Sequence, residues 1–217
     1  MNSSIVISKN SPGASDAFST LGSVRELDSS EITAETVRDA DTLIVRSETR
    51  VDRPLLENSA VRFVGTLTIG TDHVDLKYLK SRNIGFASAP GSNANSVAEY
   101  VVAALLTWAD KDGIQLREKS IGIVGVGNVG RIVAKYAAVL GMRVILNDPP
   151  LARVTGDPRY RPLDELMEAD IVTVHVPLTR SGQDATVHLF GTDRIRAMKR
   201  GSVLINTSRG AVVDSNA

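Results

Sequence analysis

The clearest chemical signal in the chain is the run Gly125, Val126, Gly127, Asn128, Val129, Gly130, followed further on by an acid, Asp148. Glycine at the first position permits a turn that a side chain would block. The second glycine lets a backbone approach a pyrophosphate, and the third lets a helix pack close to a strand. Free N–H groups at a helix start, reinforced by the helix dipole, attract phosphate charge. A carboxylate at Asp148 can accept from both ribose hydroxyls and repels a 2′-phosphate. The pattern therefore points to dinucleotide binding, with NAD favoured over NADP.

Elements of the right kind surround these residues. Ile121 to Val124 is apolar and β-branched, which reads as a buried strand. Ile132, Val133, Tyr136, Ala137 and Leu140 recur at helical spacing, and Gly141 stands where that helix would stop. Val144 to Leu146 reads as a second strand, ending at Asp148. A glycine-rich turn alone would also suit another α/β protein; strand, helix, strand and acid in this order favour the dinucleotide unit. Further on, Leu163 to Glu168 reads as a short helix. Ile171 to Val174 reads as a strand ending at His175-Val176-Pro177, and Val203 to Ile205 as one ending at Asn206-Thr207-Ser208-Arg209.

The first part of the chain alternates in the same way. Strands are expected at Ile5 to Ile7, Val24 to Leu27, Leu43 to Val45, Phe63-Val64 and Ile84 to Ala87. Helices are expected at Ala14 to Leu21, Thr33 to Asp39 (with Thr33 as cap), around Leu55-Leu56 after Pro54, and at Leu76 to Ser81. Residues 93–112 give the longest helical pattern. Val97, Val101, Ala104, Leu105 and Trp108 share one face there, and Ala103 and Leu106 widen it, so a helix buried between two layers is expected. The expected fold class is α/β, with two doubly wound parallel-sheet domains. A flavodoxin-like substrate domain would span 1–92, the interdomain helix 93–112 and a Rossmann domain 113–217. In such sheets ligands bind at the C-terminal strand ends, here Arg46-Ser47 and the Gly65 to Thr71 loop.

Composition excludes other classes. Lys plus Arg equals Asp plus Glu at 25 each, without a long charge run, which argues against a nucleic-acid or anionic-membrane partner. Cysteine is absent, which removes disulfides, thiol nucleophiles and Cys-based metal sites; no metal is expected. No run reaches the roughly 18 apolar residues of a membrane span, and the N-terminus lacks a leader's basic and apolar regions. A cytoplasmic location is expected.

The segments GTLTIGTDHVD, APGSNANSVAEYV, GVGNVG, NDPP, HVPLT, VHLF and INTSRGAVVD follow one another in this order. Together they resemble the D-2-hydroxyacid dehydrogenase family, tightly from Gly65 onward. Within it, TDHVD, NDPP and VHLF are most similar to members acting on a small phosphorylated 2-hydroxy acid, 4-phospho-D-erythronate, on the way to pyridoxal phosphate. The resemblance implies oxidation of the 2-hydroxyl to a ketone with NAD as hydride acceptor, and a homodimer for a full-length member. It makes Arg209 the catalytic residue that grips the substrate carboxylate and polarises the reacting oxygen, which a planar guanidinium suits. It places Ser47 and Thr68 on the substrate, with Arg46 beside them as phosphate partner. Val176, Thr207 and Ser208 line the nicotinamide side; Val176 departs from the hydroxyl residue often found there and offers only backbone or packing contact.

The family's acid–base histidine and its assisting glutamate lie downstream of the INxxRG arginine, beyond Ala217. The chain is therefore expected to be an N-terminal fragment with little turnover of its own, and His73, His175 and His188 are expected to be structural. Two alternatives stay open. One is another member of the family, such as one acting on phosphoglycerate. The other is a non-catalytic NAD-binding remnant.

Overall fold

A computed structural model of the chain describes residues 3–217. Residues 1 and 2, which open the expected first domain, lie outside the described residues. The chain divides into two compact units, at Ser92 and Asn93.

The first unit is built on a five-stranded parallel sheet: β1 (Ser3–Ser8), β2 (Gly22–Leu27), β3 (Thr42–Val45), β4 (Phe63–Thr66) and β5 (Gly85–Ser88), in the order β2-β1-β3-β4-β5. Successive side chains on a strand face opposite ways. Val6, Leu43, Val45 and Val64 accordingly pack with Leu56, Val61, Tyr78 and Leu79, while Ile5, Ile7 and Ile44 pack with Ala14 on a second cluster. Burial on both faces explains why these strands read as apolar runs without alternation. The helices are short: α1 (Ala14–Ser19), α2 (Arg53–Leu56) and α3 (Leu76–Ser81). Asp52 and Asp75 cap α2 and α3 by accepting from Leu55 N–H and Tyr78 N–H. The order in which successive strands are added reverses between β1 and β3, the switch point where sheets of this order open a crevice.

The second unit opens with α4 (Ala94–Asp112) and holds a four-stranded parallel sheet: β6 (Ser120–Val124), β7 (Arg143–Asn147), β8 (Ile171–Val174) and β9 (Val203–Asn206), in the order β7-β6-β8-β9. Its remaining helices are α5 (Gly130–Val139), α6 (Pro149–Thr155) and α7 (Thr192–Ala197). Ile121, Ile123 and Ile171 pack against α4 and α5 through Ala98, Val101, Leu105, Val133 and Ala137. Val124, Val172 and Val174 face Leu166, Phe190 and Val212 in a second layer. A Cβ at Gly122 would stand 2.9 Å from Leu166 Cγ, so the missing side chain there is what lets Leu166 seat on the sheet. The switch point of this sheet lies between β6 and β8.

Two expectations are corrected. Residues 33–39 are turns rather than a helix. Thr36 Oγ1 accepts from Thr33 N–H at 2.8 Å and lies 3.1 Å from Thr33 carbonyl oxygen, so side-chain bonds take groups a helix would need. The short helix expected at Leu163–Glu168 is present, wound as a 3₁₀ helix. The helix at 93–112 belongs to the second unit and buries one stripe, Ala94, Ala98, Val101, Leu105 and Ala109. Tyr100 and Leu106 on its other side are 67% and 48% exposed, so it is not covered by two layers.

Candidate active site

The glycine turn follows β6 at the switch point. Gly125 has φ +87°, and a Cβ on it would stand 2.8 Å from the His175 carbonyl oxygen. A Cβ on Gly130 would fall 1.9 Å from the Gly125 carbonyl oxygen, so any side chain would push α5 off the turn. At Gly127 a Cβ would meet nothing within 4 Å, which leaves the outer face of the turn open to a guest. Among the described residues no protein acceptor takes the N–H groups of Gly127, Asn128, Val129 or Gly130. These donors, at the start of a ten-residue helix, suit a pyrophosphate. The residues present thus fit NAD.

Asp148 follows β7, and its carboxylate is already engaged. Oδ2 accepts from Val126 N–H at 2.8 Å, and Oδ1 accepts from Leu151 N–H at 3.0 Å. The first bond clamps the glycine turn; the second caps α6, whose first turn carries Pro149 and Pro150. A carboxylate has about four acceptor positions, so capacity remains for ribose hydroxyls.

The ends of β8 and β9 are tied together. Val176 N–H donates to Ser208 Oγ at 2.9 Å, and Ser208 Oγ donates to the Val174 carbonyl at 3.0 Å. Thr207 Oγ1 lies 2.7 Å from His175 Nδ1. Asn206 folds the following turn by accepting from Ser208 N–H and donating to the Arg209 carbonyl, both at 2.9 Å. Arg209 is half-buried just beyond, its Nη1 donating to the Ser208 carbonyl at 3.3 Å. Arg209, Thr207, Ser208, Val176 and the glycine turn thus gather at one edge of one sheet. Burial pushes the His175 imidazole down to about 4.

The residues expected to meet substrate stand at the corresponding edge of the first unit. Arg46 follows β3 and donates from Nη1 to the Asn10 carbonyl at 3.0 Å, with Glu48 Oε2 4.0 Å from its Nε. Ser47 is exposed beside it. Thr68 Oγ1 lies 2.9 Å from Thr66 Oγ1 and donates to the Gly70 carbonyl at 3.3 Å. Thr66 Oγ1 is in turn 3.1 Å from His73 Nε2. The His73 carbonyl accepts from Val51 N–H at 2.8 Å, which stitches the TDHVD turn to the start of α2.

Two residues in these networks escaped the sequence reading. Thr66 joins Thr68 to His73, and its polar side chain ending an otherwise apolar strand was the available sign. Asp170 receives Ser120 N–H and Ser120 Oγ, both at 2.8 Å, and Lys199 Nζ at 2.6 Å. Burial alone would raise its carboxyl, but these donors outweigh it and hold Asp170 well below the usual carboxylate range. That cluster lies at the opposite edge of the sheet and joins β6 to β8. His188 is exposed at φ +50°, with Nδ1 4.0 Å from Asp214 Oδ2. No group of side chains among the described residues could hold a metal ion, and no helix among them is long and apolar enough to cross a membrane.

Comparison with known proteins places this geometry. The chain is 51% identical over 214 residues to erythronate-4-phosphate dehydrogenase of Chromohalobacter salexigens, covering 98% of this chain and 56% of the relative. It is 48% identical over 213 residues to the enzyme of that name from Hydrogenovibrio crunogenus, covering 98% and 57%. The chain thus spans about half the length of the curated relatives it matches. Among solved structures it resembles D-lactate dehydrogenase from Aquifex aeolicus, complexed with NAD and lactic acid, at TM-score 0.80 and 27% identity, covering 98% of this chain and 71% of that one. It also resembles NAD-bound 3-phosphoglycerate dehydrogenase of Entamoeba histolytica at TM-score 0.83 and 25% identity, covering 100% and 75%. Residues 93–217, the whole second unit, match the model of the D-isomer specific 2-hydroxyacid dehydrogenase NAD-binding domain, and the chain belongs to that family.

Proposed function

We propose that this chain belongs to an enzyme that oxidises the 2-hydroxyl of 4-phospho-D-erythronate to the 2-oxo acid with NAD, a step toward pyridoxal phosphate. The observation that carries the reading is the gathering of Arg209 and the glycine turn at one edge of the second unit's sheet. The 51% identity to a named erythronate-4-phosphate dehydrogenase supports this substrate over phosphoglycerate, whose solved dehydrogenase is 25% identical.

Residues 1–92 are the substrate domain and 93–217 the NAD-binding domain, which opens with α4. Gly125, Gly127, Asn128, Val129 and Gly130 hold the pyrophosphate, and Asp148 holds the adenine ribose. Val176, Thr207 and Ser208 line the nicotinamide side. When bound, NAD supplies the hydride acceptor. Arg209 grips the substrate carboxylate with paired N–H donors and polarises the reacting oxygen. Its guanidinium stays protonated, so it cannot also take the hydroxyl proton. His175 and His73 are held in hydrogen-bond networks and serve as scaffold rather than base. Ser47 and Thr68 orient the substrate, and Arg46 meets its phosphate. The working form is a cytoplasmic homodimer.

The test is turnover by a protein carrying these residues, with NAD and three substrates: 4-phospho-D-erythronate, unphosphorylated D-erythronate and D-3-phosphoglycerate. The reading expects the first to give the highest kcat/KM. A preference for either of the others would overturn the substrate assignment.

A further inference from the structure

We infer that His175 is a positioning residue for the nicotinamide side: its imidazole, set between Thr173 and Thr207, fixes the direction of the Thr207 hydroxyl just beyond β9. The inference rests on the reading of Thr207 and Ser208 given above. His175 stands where three strands end. Its N–H donates to the Val124 carbonyl at the end of β6, at 2.8 Å. Its own carbonyl lies against Gly125, where a Cβ would come within 2.8 Å. Its ring reaches β8 through Thr173 Oγ1, 3.0 Å from Nε2, and the residue after β9 through Thr207 Oγ1, 2.7 Å from Nδ1.

The hydrogen positions follow from the partners. Thr207 Oγ1 donates to the Val174 carbonyl at 3.3 Å, so it accepts from His175 Nδ1–H. Nε2 then accepts from the Thr173 hydroxyl. One neutral tautomer satisfies both ring nitrogens, and the low-dielectric surroundings favour that form. Ser208 repeats the pattern next door, accepting from Val176 N–H and donating to the Val174 carbonyl. The Thr207 hydroxyl therefore presents a set lone pair rather than a free rotor. A residue that only filled space here would not need two ring nitrogens, each with a threonine partner.

Asparagine and glutamine divide the two nitrogens between them. An Asn amide reaches the place of Nδ1 and keeps the bond to Thr207. A Gln amide reaches toward Nε2 and keeps only the bond to Thr173. NAD and ADP-ribose, which lacks nicotinamide, are titrated into the wild-type chain, His175→Asn and His175→Gln. A lost positioning bond is worth roughly tenfold in affinity. The expected result is that His175→Gln loses about tenfold for NAD and keeps ADP-ribose within about twofold, while His175→Asn stays close to wild type for both. Equal losses for both ligands, or unchanged NAD binding in His175→Gln, would overturn the inference. Thr207→Val gives a second route should His175→Gln fail to fold. It should show the same NAD-selective loss, and an ADP-ribose loss as large as its NAD loss would overturn the inference. A wild-type chain that binds neither ligand would overturn the dinucleotide reading itself, and the inference with it.

Discussion

Mild acid should weaken the second unit through one side chain. Burial holds the His175 imidazole at about 4, against an ordinary value of 6.5. Between those values the unfolded chain takes up a proton that the folded chain refuses, so stability is full above 6.5 and falls as pH drops toward 4. At about 1.4 kcal/mol per pH unit, the penalty reaches about 2 kcal/mol at pH 5 and about 3 kcal/mol near pH 4. The depressed carboxyls, Asp170, Asp41 and Asp157, act in a different window. Their contribution is present above the ordinary carboxylate value and disappears only as pH falls below about 4. Trp108, the single tryptophan, packs against the core of the second unit, so its fluorescence reports that unit. Urea unfolding at pH 7, 6 and 5 should show wild type losing about 2 kcal/mol relative to His175→Asn, which has no imidazole to protonate. A constant difference between the two proteins across that range would refute the reasoning. So would an imidazole that titrates near 6 by NMR.

Gly130→Ala should cost about 3 kcal/mol or more in urea unfolding, because the added Cβ falls on the Gly125 carbonyl and that clash exceeds the roughly 1 kcal/mol alanine gains in a helix. A smaller loss would show that the turn gives way easily. Asp170→Ala should cost about 1–3 kcal/mol, since it strands the buried Ser120 N–H. Lys199→Met should cost about 1 kcal/mol or less, because its ammonium is half in water; the reverse order would contradict this ranking. Arg46→Ala should lower kcat/KM about tenfold or more for 4-phospho-D-erythronate but only slightly for unphosphorylated D-erythronate. Equal losses would remove Arg46 from the phosphate.

Much of this architecture was legible in the sequence because both faces of both sheets are buried. Ile121 to Val124, Leu43 to Val45 and Ile171 to Val174 read as strands for that reason, and the glycine turn announced itself by position. Where hydroxyls compete with the backbone, the reading failed: Thr33 and Thr36 bond each other and the local chain, so the apparent helix is a series of turns. The helix that begins at Pro149 was not expected, although an acid before Pro is how a helix begins. The width of the apolar surface on α4 misled, since Ala103 and Leu106 suggested a second covered face that is open. At the candidate site the sequence suggested residues but not how they are wired together. Asp148 stood out as the acid after the second strand, whereas its grip on Val126 depends on a contact 22 positions away. The Ser120–Asp170 pair spans 50 positions, and the Thr173–His175–Thr207 path crosses from β8 to the end of β9. Such contacts exist only once the strands are paired, and no local pattern encodes them.

We propose that the second unit binds NAD through the glycine turn, with Asp148 setting the choice of dinucleotide. Calorimetric titration of the 217-residue chain with NAD and NADP tests it most directly. The account predicts NAD binding at least about tenfold tighter than NADP, since a 2′-phosphate would face the Asp148 carboxylate, and a narrower gap in Asp148→Asn. Equal or tighter binding of NADP by the wild-type chain would contradict it.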